Sequence, residues 1–273
     1  LPAAVVPVVV GTLAIRPQSI STVRALLAGI VALALQIGTN YANDYSDGIL
    51  GTDEVRVGPI RLVGQKLASP AAVRAAAFLC FGIAAVCGLA LCAFSTWWLL
   101  LPGAIAVVAG WFYTGGPAPY GYLGLGEVFV FLFFGLMATV GSAYVQHRSA
   151  PALAWLAAIP VGLLATALLE ANNLRDIDGD VIAHKRTLAV RLGRRRAGWL
   201  YVGSTLGAAL GVVACAFLRP LCAIALLGLL VAATPLRLAR SDATGRALLP
   251  MLKATGRTQL AVGALLALAL AFG

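Results

Sequence analysis

Apolar stretches long enough to approach a bilayer crossing recur along almost the whole chain: approximately 2–15, 23–43, 72–94, 97–113, 126–145, 152–173, 198–217, 220–236 and 258–272. A helix needs roughly 17–25 residues to cross about 30 Å of hydrocarbon, so the first and last stretches are short for a span. Lipid offers no partner to an open sheet edge, which makes the spans helices rather than strands. The expected fold is an all-α membrane protein of about nine transmembrane helices around a central cavity, one domain over 1–273. No charged n-region or small-residue cleavage site marks a removable signal peptide. Charged residues make up 11% of the chain, against about 25% in a typical soluble domain. In that setting a net charge of +10 points to membrane topology and lipid headgroups rather than to nucleic acid.

Counting basic residues on alternate sides of nine helices gives a strong asymmetry. One side holds four after the second helix (Arg56, Arg61, Lys66, Arg74), seven after the sixth (Arg175 to Arg196) and five after the eighth (Arg237 to Arg257), sixteen in all. The other holds only Arg16, Arg24, Arg148 and Arg219. By the positive-inside rule the N-terminus is cytoplasmic and the C-terminus is outside. The run Arg194, Arg195 and Arg196 is expected to anchor the seventh helix beside anionic lipid. The five cysteines fall in or at the edges of apolar stretches without C-x-x-C spacing, as buried inert thiols do.

Acidic residues are few and grouped. Of ten, Asp44, Asp47, Asp53 and Glu54 follow the second apolar stretch, and Glu170, Asp176, Asp178 and Asp180 end the sixth. Asn40, Asn43, Asp44 and Asp47 share one helical face if the second helix continues that far, as do Asn172, Asp176 and Asp180, with Asn173 three before Asp176. Clustered carboxylates repel, and the helix C-terminus is the wrong end for anions. Mg²⁺ resolves both problems, since it takes oxygen ligands from one or two carboxylates plus substrate phosphates. A diphosphate then needs further positive charge, for which Arg56, Arg61 and Lys66 follow the first group and Lys185 and Arg186 the second.

Between the fourth and fifth stretches the glycines and prolines of 115–126 preclude a regular helix. Tyr113, Tyr120 and Tyr122 there are placed either to shape a pocket and stabilise a cation through their ring faces or to sit in an interfacial belt. Gln36 either lines the cavity or bonds a neighbouring helix. Glu127 and His147 are expected as helix-end residues. Glu170 is expected either to orient Asn173 or to bond across to another helix.

NDYSDG at 43–48, GTDEVRVGPIRLVGQ at 51–65, YTGGPAPYGYLGLGE at 113–127 and NNLRDIDGDVIAHKRTLAVRLG at 172–193 resemble the UbiA superfamily of intramembrane prenyltransferases. The tyrosine–glycine segment resembles most its actinobacterial 1,4-dihydroxy-2-naphthoate polyprenyltransferases of menaquinone synthesis. His184 stands where that pattern has a small residue. The resemblance implies an Mg²⁺-dependent enzyme of the bacterial plasma membrane with a cytoplasmic active site. It would join a polyprenyl diphosphate to 1,4-dihydroxy-2-naphthoate with loss of CO₂, giving demethylmenaquinone and diphosphate. It implies metal–diphosphate sites at Asn43, Asp44, Asp47 and Asp53 and at Asn173, Asp176 and Asp180, with Lys185 and Arg186 beside the second.

Two other readings stand beside this one. Another prenyltransferase of the superfamily would use 4-hydroxybenzoate or homogentisate. A cation or phosphate transporter would also place carboxylates in membrane helices, but near the midplane, in broken helices of an inverted repeat. The D-G-x-x-A-R signature of CDP-alcohol phosphotransferases is absent.

Overall fold

The structure, a computed structural model, describes residues 1–15, 19–51, 58 and 60–273. Asp53, Glu54 and Arg56 lie outside the described residues. Among those described, seven helices are long and apolar enough to cross a membrane: α2 (Thr22–Ile49), α3 (Pro70–Phe94), α5 (Gly126–His147), α6 (Ala152–Ile182), α7 (Arg194–Leu218), α8 (Pro220–Ala239) and α9 (Gly245–Phe272). Two shorter apolar helices, α1 (Pro2–Leu13) and α4 (Trp97–Phe112), pack with them. The chain is a multi-pass helical membrane protein.

Helix starts follow ordinary capping chemistry. Ser21 accepts the Arg24 N–H at the head of α2, and Ser69 accepts the Ala72 N–H before Pro70 opens α3. The helix ends differ from the hydropathy reading in a way that matters. Hydropathy falls at residues 43 and 173, yet α2 runs to Ile49 and α6 to Ile182. Asp44 and Asp47 on α2, and Glu170, Asp176, Asp178 and Asp180 on α6, are therefore helical rather than in a following loop. At 1.5 Å per residue the 31-residue α6 extends well beyond the roughly 30 Å hydrocarbon layer.

Packing is inside-out relative to a soluble bundle. The main core holds many small residues, Ala154, Ala157, Ala208, Ala225 and Ala269 among them, as expected where helices associate by close van der Waals contact in lipid. Large apolar side chains instead face outward; Phe217 is 85% exposed and Leu230 76%. The close approach of α5 to α6 requires glycine on both sides, since a Cβ on Gly135 would stand 2.6 Å from the Gly162 Cα. Beside that crossing α5 departs from α-helical winding, with Phe131–Met137 forming a π-helical stretch. Such stretches are frequent at functional sites.

Candidate active site

The ends of α2 and α6 face one cavity of about 1450 Å³. Asn43, Asp44 and Asp47 from α2 line it together with Asn172, Asn173, Asp176 and Asp180 from α6. Much of the remaining wall is apolar, including Leu35, Leu91, Val107, Phe134 and Met137. One end can hold a charged head, and the remainder can hold a long hydrocarbon.

Each carboxylate at the polar end is held by the fold. Asp47 accepts the Tyr122 hydroxyl and pairs with Lys185, whose Nζ lies 3.1 Å from Oδ1. That ammonium also sits 4.9 Å from the centre of the Tyr122 ring. The three side chains thus tie together the end of α2, the loop before α5 and the loop after α6. Asp44 has another duty: its two oxygens accept the Leu62 and Val63 N–H groups at 2.8 and 3.0 Å. It anchors the segment that carries Arg61 to the cavity wall. Asp176 is gripped by Arg175 at 2.7 and 2.6 Å in a two-pronged contact, and the Arg175 side chain is fully buried. The Thr187 hydroxyl donates to Asp180 at 3.3 Å. Asp178 also borders the cavity, with its side chain 72% exposed and paired with Arg194 at 3.5 Å.

The asparagines are oriented too. Asn43 Oδ1 accepts the Thr114 hydroxyl at 2.8 Å, and Asn173 Nδ2 donates to Glu127 Oε1 at 2.9 Å. Glu127 is thus more than a helix-end residue. Glu170, by contrast, accepts from Ser204 on α7 at 2.8 Å, so it bonds across to another helix and does not orient Asn173.

An aromatic row leads from this polar end toward the apolar part of the cavity. Tyr113 meets Tyr120 edge-on at 5.3 Å, Tyr120 stacks on Phe129 at 4.1 Å, and Phe133 follows at 5.9 Å. All four line the cavity. The Tyr120 hydroxyl donates to the Ala109 carbonyl. Burial pushes the Tyr113 phenol far above its ordinary range, and the nearby carboxylate of Glu127 adds to this. Burial does the same to Tyr120. Both rings stay neutral at physiological pH and offer their faces rather than a base.

Two basic residues grouped by sequence with the site do not reach it. Lys66 is exposed, in a left-handed turn with φ of 57°. Arg186 is exposed, and its N–H donates to the Tyr122 carbonyl. Neither lines the cavity. Backbone direction, not sequence distance, sends Lys185 inward and its neighbour outward. Conversely, Arg175 lines the cavity, although its position suggested only a topological charge. Arg194 does more than anchor: it donates to the Leu174 and Ala243 carbonyls at 3.3 and 2.9 Å.

The donor set suits a hard divalent cation in kind, being oxygen throughout. Among the described residues no three His, Cys, Asp or Glu side chains converge as a self-sufficient metal cage.

Comparison with known proteins agrees with this geometry. The chain is 46% identical to the 1,4-dihydroxy-2-naphthoate octaprenyltransferase of Mycobacterium tuberculosis, over 100% of this chain and 94% of that protein. Its fold superposes on a UbiA homolog from Aeropyrum pernix with a TM-score of 0.74 at 16% identity, covering 98% and 96% of the two chains. A UbiA homolog from Archaeoglobus fulgidus bound to DMAPP and Mg²⁺ superposes with a TM-score of 0.68 at 14% identity, covering 100% and 96%. Residues 4–252 match the sequence profile of the UbiA prenyltransferase family, and the chain belongs to that family.

Proposed function

We propose that this protein transfers a polyprenyl group from polyprenyl diphosphate to 1,4-dihydroxy-2-naphthoate, releasing diphosphate and CO₂. The observation that carries the reading is full-length similarity to an enzyme named for that reaction, joined to one cavity with carboxylates at one end and an aromatic, apolar wall beyond. The prenyl group is octaprenyl by the relative's name.

Asp47, Asn173, Asp176 and Asp180 would hold Mg²⁺ with the diphosphate, and Asn43 and Asp44 border the same end. When bound, Mg²⁺ supplies positive charge that stabilises the departing diphosphate. Lys185 and Arg61 add fixed cationic charge there, the preorganised electrostatics that usually carries most of a rate enhancement. The allylic C–O bond breaks with its electron pair going to diphosphate, leaving a cation that any water would quench. Apolar walls exclude that water, and the ring faces of Tyr113, Tyr120, Phe129 and Phe133 stabilise the cation. The electron-rich naphthalene ring then attacks it, forming the new C–C bond. Loss of the carboxylate as CO₂ returns an electron pair to the ring and restores aromaticity. No oxidant is needed, so the product is the diol, the reduced form of demethylmenaquinone.

The same reading places nine spans, α1 and α4 included, in one domain of a bacterial plasma membrane, with the N-terminus and the active site cytoplasmic. Sixteen of twenty basic residues on the side of the α2 and α6 ends support it.

The test offers detergent-purified protein, Mg²⁺ and octaprenyl diphosphate each of 1,4-dihydroxy-2-naphthoate, 4-hydroxybenzoate and homogentisate, with products identified by mass. The prenylated naphthalenediol is expected as the main product. A prenylated benzoate with the naphthoate untouched would move the protein to another branch.

A further inference from the structure

The buried carboxylate at the head of α5 has no duty in the chemistry above. Glu127 is 7% exposed, lies two residues beyond Leu125 in the first turn, and does not line the cavity. An acid in a helix's first turn is favoured by the dipole, but solvent exposure suffices for that. Burial in an apolar bundle carries a desolvation cost of several kcal/mol per ion, and among the described residues no Lys or Arg pairs with Glu127. Its side-chain partner is Asn173, at 2.9 Å.

That contact has a directional consequence. A carboxylate oxygen offers lone pairs, so the amide must turn its NH₂ toward Glu127. The carbonyl oxygen of Asn173 is then held on the opposite side of the amide, while the residue itself lines the cavity beside Asp176 and Asp180. Without such a partner an amide can present either end, and an NH₂ cannot bind a cation. We propose that Glu127 is a positioning residue that fixes the Asn173 amide with its oxygen available to the divalent cation at the diphosphate end. This rests on the Mg²⁺–diphosphate reading and names a residue outside the oxygen donors themselves. Groups that orient a metal ligand from behind typically change metal affinity by about 10–100-fold when removed.

Mn²⁺ binding to the full-length protein in detergent, with inorganic diphosphate present, gives the direct readout through the electron paramagnetic resonance of free Mn²⁺. Glu127→Ala is expected to weaken binding by about 10–100-fold. Glu127→Gln keeps an acceptor oxygen and should recover most of the loss. Because Glu127 acts through Asn173, the Glu127→Ala/Asn173→Ala double variant should bind no more weakly than Asn173→Ala alone. A merely structural glutamate would give additive losses, and these would overturn the proposal. So would wild-type affinity in Glu127→Ala when Asn173→Ala is weakened. If Glu127→Ala does not fold, Glu127→Met keeps the side-chain volume and serves the same cycle. If neither Asn173→Ala nor Asp176→Asn alters Mn²⁺ binding, the cation site itself fails, and the positioning role with it.

Discussion

Asp47→Asn and Asp180→Asn should each lower kcat/KM by about 10³-fold, since each removes charge from the end of the cavity where the diphosphate must be held and released. Asn keeps the size and hydrogen-bonding capacity, so the helical content should survive. The Tyr122 hydroxyl can still find an oxygen at residue 47, and the Thr187 hydroxyl can do so at 180. Asp176 requires more care. Its carboxylate is the partner of the fully buried Arg175, so Asp176→Ala would leave a buried guanidinium uncompensated. Breaking a buried pair in that way costs about 3–5 kcal/mol, and lost activity would then mix chemistry with unfolding. Asp176→Asn keeps one acceptor oxygen for that guanidinium but not its counter-charge, so its turnover at raised Mg²⁺ is read together with its thermal unfolding. Turnover within about threefold of wild type in the Asp47 and Asp180 variants, far short of the expected drop, would remove the cation site from the mechanism.

Lys185→Ala is expected to lower kcat/KM by about 10²–10³-fold, with KM for the prenyl diphosphate rising and kcat falling together. The reason is geometric: its ammonium is buried, held between Asp47 and the Tyr122 ring, and part of the cavity wall. Arg186→Ala is the control. Its side chain is exposed and outside the lining, so it should change kcat/KM by less than about threefold, as surface charges usually do little. Thermal unfolding separates binding from folding, because Asp47 keeps Tyr122 when Lys185 is gone. Equal losses in the two variants would show that charge at that surface, rather than the inward lysine, serves the diphosphate.

Much of this arrangement is legible in the sequence itself. The i, i+3, i+4, i+7 spacing of Asn40, Asn43, Asp44 and Asp47 marks one helical face, and α2 does carry it through Ile49. The hydropathy reading ended α2 and α6 too early because an apolar window falls off where polar residues begin, whether or not the backbone stays helical. The partners of the acids were not legible. Tyr122 and Asp47 lie 75 residues apart, and Asn173 and Glu127 lie 46 apart; no local pattern encodes such pairs. Arg175 was hidden by its own plausibility as a topological charge, and only its burial against Asp176 shows otherwise. Lys66 and Arg186 stand exposed and outside the cavity lining, since nearness in sequence to an acidic group does not set the direction of a side chain. The glycine and tyrosine segment at 113–127 announced an irregular loop, but not that Tyr113 and Tyr120 would continue through Phe129 and Phe133 as one row.

If a carbon–carbon bond forms at a naphthoate ring with loss of its carboxylate, the fate of that carboxylate is the decisive readout. Purified protein is given Mg²⁺, octaprenyl diphosphate and 1,4-dihydroxy-2-naphthoate labelled in the carboxyl carbon, and released CO₂ and diphosphate are counted together. One labelled CO₂ per diphosphate, with an unlabelled prenylated naphthalenediol, is the predicted result. Diphosphate released without labelled CO₂, or label retained in a prenylated product, would contradict it.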